Sequence, residues 1–106
     1  MFNSLISPRF AINMLQKKFE KTLNIKLHDY QLYFDSMNES FQLIVDQKHY
    51  KYDSPEISNM IIASAKKQLK DTQKLDALLI DIDPKNIYVK IFITDNNEKK
   101  YITQKL

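Results

Sequence analysis

Apolar residues recur at three- and four-residue spacing over two stretches of this chain and alternate with polar residues over the segments between them. The first stretch, residues 8–24, places Ala11, Met14, Leu15, Phe19 and Leu23 on one stripe, with Lys17, Lys18, Glu20 and Lys21 turned away from it. That is the period of an amphipathic helix. Ser7 is placed to cap it, Pro8 suits its first position because no N–H is needed there, and Asn24 can close it in a left-handed conformation. The second stretch opens on Asp53-Ser54-Pro55-Glu56, again a cap followed by proline and an acid. Its stripe is Ile57, Met60, Ile61, Ala65 and Leu69, and Lys66, Lys67, Lys70 and Lys74 gather in its C-terminal half, where cations suit the helix dipole.

Between and after the helices the period drops to two. Tyr30, Leu32 and Phe34 alternate with Gln31 and Tyr33, residues 41–45 form a more continuous apolar strand, and residues 49–52 read as a short third one. The second helix is followed by expected strands at 77–82, 87–94 and 99–103, separated by turn residues at 83–86 and 95–98. The order is therefore α-β-β-β-α-β-β-β.

The two halves, about 7–52 and 53–104, can be laid on one another. A shift of 48 in the sheet segments puts Asp35 on Asp83, Asn38 on Asn86, and Tyr30, Leu32 and Phe34 on Leu78, Ile80 and Ile82. The helices align at a shift of 46, and the pattern reads as an internal duplication. One helix cannot cover three strands and stand alone, so the two units are expected to share a core. The fold class that follows is α+β in two layers: two helices on one face of an antiparallel sheet, in a single domain spanning residues 1–106. In topology alone this order resembles secretion-chaperone folds, and a duplicated helix–sheet unit resembles the TATA-box-binding saddle. No motif is shared with either, so nothing functional follows from the resemblance.

Composition removes several classes of chemistry. There is no glycine, so the P-loop, the dinucleotide fingerprint, the G-x-S-x-G elbow and the G-x-x-G clamp are all missing, and tight turns fall to Asn, Asp, Pro and Ser. There is no cysteine, hence no disulfide, thiolate metal site or thiol nucleophile. No apolar run is long enough to span a membrane, and the first residues lack the charged start of a secretory signal, which makes the cytoplasm the expected location. Heavy use of Lys, Ile and Asn fits an AT-rich genome, such as that of a low-GC bacterium or its phage. A net charge of +3 falls short of a dedicated nucleic-acid binder.

The remaining candidates are few. His28 and His49 have no clustered third ligand and read as polar residues at strand ends. Asp81-x-Asp83-x-Lys85 has the acids and lysine of a metal-dependent nuclease, but Pro84 interrupts the strand such a site needs. No serine has a triad context. No catalytic residue, cofactor or metal is therefore expected. Tyr30, Tyr33, Tyr50 and Tyr52, interleaved with Lys48 and Lys51, are the candidate protein-binding residues. Lys66, Lys67, Lys70 and Lys74 are the candidate phosphate-binding residues, joined across the helix layer by Lys17, Lys18 and Lys21. The expected function is that of a small non-enzymatic interaction protein, an adaptor, inhibitor or chaperone-like factor. It would bind another protein, or a second copy of itself, through an open sheet face or edge. The alternatives are a nucleic-acid-binding module using the lysine-rich helices and a small-molecule sensor with its ligand between the repeats.

Overall fold

The computed structural model describes residues 7–38, 40–51, 54–83 and 85–106. Its elements follow the order α1 (Pro8–Leu23), β1 (Tyr30–Asp35), β2 (Gln42–Val45), β3 (Lys48–Lys51), α2 (Pro55–Lys66), β4 (Gln73–Ile82), β5 (Ile87–Asp95) and β6 (Glu98–Lys105). The strands form one antiparallel six-stranded sheet in the order β3-β2-β1-β4-β5-β6. Both helices pack on one of its faces, as the period change along the chain predicts.

The first helix is built as its sequence dictates. The Ser7 hydroxyl accepts the Phe10 N–H at 3.2 Å, which satisfies one of the amides left free at the start of any helix. Asn24 ends it at φ 53° and ψ 46°, a left-handed conformation that asparagine tolerates better than most residues. Ala11, Ile12, Leu15 and Phe19 are buried, whereas Met14 and Leu23 lie at the rim.

The second helix is shorter than its periodicity suggests, and this corrects the expected position of the lysine cluster. It stops at Lys66, so Lys67 is its cap, Lys70 falls in the following turn, and Lys74 belongs to β4. The chain tightens as it leaves: Gln68 N–H bonds Ala65 C=O and Leu69 N–H bonds Lys66 C=O, three residues back rather than four. Gln73 then fixes the turn, its side chain accepting the Lys70 N–H at 2.9 Å. Residues 73–75 are claimed by pairing with the far end of β5, Gln73 against Asp95, Lys74 against Thr94 and Leu75 against Ile93. A bulge between Leu75 and Ala77 then resets the register.

The core lies between the helices and one set of alternating strand positions. Leu32, Leu43, Leu78, Ile80, Ile91 and Ile93 are fully or almost fully buried there, against Ile12, Leu15 and Phe19 from α1 and Ile57 and Ile61 from α2. Each such side chain contributes about 1.5–3 kcal/mol relative to exposure. No helix among the described residues is long and apolar enough to cross a membrane.

The centre of the sheet is the antiparallel pair β1–β4, so each α-β-β-β unit fans out from the same seam. The turns leaving these two strands are built alike. The Asp35 carboxylate accepts the N–H groups of Met37 and Asn38, both at 2.9 Å, and Asp83 accepts those of Lys85 and Asn86 at 2.8 and 2.7 Å. The 48-residue shift pairs these residues. The hairpins β2–β3 and β5–β6 each close on two residues of positive φ, Asp46-Gln47 and Asn96-Asn97, as two-residue turns between twisted strands require. Gln47, at φ 64°, takes a position that the composition assigns to Asn, Asp, Pro or Ser.

Candidate functional site

Because successive side chains of a strand point to opposite faces, the partners of the core residues define the sheet's other face. No element among the described residues covers it, and the strand register arranges it in rows. One row runs His49, Ile44, Gln31, Asp81, Tyr88, Lys105 from β3 to β6. The next runs Lys51, Gln42, Tyr33, Leu79, Lys90, Thr103. A shorter third row is Asp35, Ala77, Phe92, Tyr101, and a fourth is Lys74, Thr94, Lys99.

Apolar and aromatic side chains therefore cross this face from Ile44 through Tyr33 and Leu79 to Phe92, Tyr101 and Tyr88, with lysines set among them. Tyr101 is 61% exposed and Tyr88 41%. Phe92 and Tyr101 lie 6.2 Å apart, tilted at 48°. The Lys90 ammonium stands 4.9 Å from the Tyr101 ring centre, and that of Lys105 stands 5.9 Å from Tyr88.

The acids of this face are largely engaged. Asp35 holds its own turn. Asp76, at the bulge, accepts from the Thr94 hydroxyl at 2.6 Å and from Lys99 at 3.4 Å. The Thr94 hydrogen bond, with the nearby lysines, holds the Asp76 carboxyl below the usual carboxylate range. At the sheet ends Asp83 and Asp95 are lowered likewise, Asp83 by the Lys85 and Asn86 N–H groups and Asp95 first by the Gln73 side-chain amide.

The four candidate tyrosines do not assemble into one site. Tyr33 lies half-buried on the open face. Tyr30 is in the core, where its phenol donates to Gln16 at 2.5 Å; burial, helped by the Glu20 carboxylate, pushes its pKa well above the ordinary value. Tyr50 packs against the rim of the core on the helix side. Tyr52 lies outside the described residues. Alternation explains the division: Tyr30 and Tyr33 are three apart on one strand and must face opposite ways.

The lysines are divided too. Lys66, Lys67 and Lys70 are exposed around the end of α2, while Lys74 joins the open face. His28 and His49 are both exposed, His49 within 3.4 Å of Gln42. Among the described residues no three His, Asp or Glu side chains are grouped to hold a metal ion. At the junction of the helices with β4 and β5, an apolar crevice lined by Ile12, Ile61, Ala65, Ile80 and Ile91 has a free volume of only about 20 Å³. Larger, open and more polar grooves lie elsewhere: one of about 290 Å³ is lined by Arg9, Gln16, His28 and Asp83, and one of about 370 Å³ by Ser36, Asn38 and Asn59.

Reading the tyrosines as a group misses Tyr88, Phe92 and Tyr101. The signal was present in β5, where Ile87, Val89, Ile91 and Ile93 mark the core face and leave Tyr88, Lys90 and Phe92 to the other. No family model, curated protein or solved structure matches this chain.

Proposed function

We propose that this chain is a non-enzymatic binding domain of the cytoplasm that engages a protein partner through its uncovered sheet face. The observation that carries the reading is the apolar band Ile44–Tyr33–Leu79–Phe92–Tyr101, which crosses five strands and has nothing packed on it among the described residues. Aromatic side chains flanked by polar ones are what protein interfaces favour at their centres. Six strands ~4.8 Å apart, from about 13 to about 33 Å long, give a face of roughly 650 Å². That approaches the ~800 Å² per partner of a standard protein interface. An adaptor, an inhibitor or a chaperone-like factor would each work through such a surface.

A second reading rests on the lysine–aromatic pairs. Lys90 with Tyr101 and Lys105 with Tyr88 are the side-chain types on which single-stranded nucleic acid stacks. Asp81, beside Tyr88 in its row, counts against a phosphate backbone following that path.

Affinity capture from native cells, with and without nuclease, separates the two. The proposed reading expects a protein partner that survives nuclease and is lost from Tyr33→Ala and Phe92→Ala variants that remain folded. Partners lost on nuclease treatment, with nucleic acid recovered and a steep salt dependence, would replace it with the second reading.

A further inference from the structure

We propose that the outer edge of β6 accepts an acidic strand, so that the partner extends the sheet as well as covering its face. The inference rests on the protein-partner reading above. β6 is bonded to β5 alone among the described strands, and its outer side presents backbone donors and acceptors along eight residues. The opposite edge, β3, offers four. Unsatisfied strand edges of this kind are templates for an added strand.

The side chains of β6 define what that strand carries. Lys99, Lys100 and Lys105 stand against Glu98 alone. Lys99 and Lys105 lie on the open face with Tyr101 and Thr103 between them. Lys99, Tyr101, Thr103 and Lys105 follow one another at the ~6.8 Å repeat that same-face side chains of a neighbouring strand also have. Lys99 and Lys100 contact Asp76, Asp95 and Glu98 at 3.4, 3.6 and 3.8 Å. These pairs are largely exposed on the lysine side, so a partner's carboxylate can replace the internal one at little cost. A strand with carboxylates beside Lys99 and Lys105, an apolar side chain between them beside Tyr101, and one carboxylate on the opposite face beside Lys100 would meet all of these positions. A second copy of β6 fits poorly, because pairing it with itself brings three lysines per chain together against one glutamate.

The test uses two synthetic peptides as long as β6, one with Glu set opposite Lys99, Lys100 and Lys105 and Val or Tyr elsewhere, the other with Lys in place of Glu. They are titrated into the isotopically labelled chain, and amide shifts and hydrogen exchange are followed. The acidic peptide is expected to slow exchange within residues 98–105 and to bind at least about tenfold more tightly than the basic one. Reversing the charge of Lys99, Lys100 and Lys105 to Glu should invert that preference. Lys105→Glu alone, at an exposed position, should weaken acidic-peptide binding while leaving amides beyond β6 and the adjoining end of β5 unchanged. Equal binding of the two peptides, no protection of residues 98–105, or a concentration-dependent dimer occupying β6 overturns the inference. If the peptide fails while a cellular partner is still captured through Tyr33 and Phe92, only the edge proposal falls. If no partner is captured either, both fall.

Discussion

The ammonium of Lys90 on β5 stands 4.9 Å from the ring centre of Tyr101 on β6, on the face of the sheet that the helices leave open. This pair joins the charged and aromatic character of that face at one point. Its own energy is modest, about 0.5–1 kcal/mol for an exposed cation over a ring. Replacing Tyr101 by Ala should therefore lower stability by no more than about 1 kcal/mol in urea denaturation while abolishing partner capture. A large stability loss would instead mark Tyr101 as a packing residue.

Adjacent residues of β4 test the assignment of the two faces. Leu78 is fully buried under the helices, and Leu79 is half-buried on the open side. Leu78→Ala should cost about 2–5 kcal/mol, as in other well-packed cores. Leu79→Ala should cost clearly less, and comparable losses for the two would mean that the open face is not open.

The sheet architecture was legible because the apolar period changes cleanly. Tyr30, Leu32 and Phe34 and their counterparts Leu78, Ile80 and Ile82 share one period-two pattern, and all six lie on the buried face, although which face the helices cover was not legible from spacing alone. Helix α2 was harder to end. Leu69 continues the helical period and no glycine marks a stop, yet pairing of residues 73–75 with β5 claims the chain first. The site was less legible than the fold, because proximity in sequence put Tyr30 and Tyr33 together where the pleat separates them. Tyr88, Phe92 and Tyr101 come together only through the β5–β6 register. Gln47 in a left-handed turn position was not foreseeable from turn preferences at all.

Ser58 is fully buried on α2, and its hydroxyl has no hydrogen-bond partner among the described residues. A buried hydroxyl without a partner carries a desolvation cost of about 1–3 kcal/mol, and alanine is the better helix former. Ser58→Ala should raise the denaturation midpoint. A loss of stability would show that the hydroxyl makes a bond worth more than its desolvation.

Stability should fall in acid. The carboxyls of Asp76, Asp83 and Asp95 lie below the usual range in the folded chain, so the unfolded chain binds their protons more readily. Their contribution is complete above the ordinary carboxylate value of about 4 and is lost as pH drops below it through the folded values. Melting temperature measured from neutral pH downward should decline in that window, and Asp76→Asn should reduce the decline. A melting temperature unchanged by acid would remove these three groups from the account.

The open face itself is tested most directly by photo-crosslinking in native cells. The reactive side chain is placed singly at position 79 or 101 on the sheet and at position 17 or 63 on the outer helix surfaces. The account predicts nuclease-resistant protein adducts from 79 and 101 and none from 17 and 63. Adducts confined to the helix positions, or nucleic acid as the only product on the sheet, would contradict it.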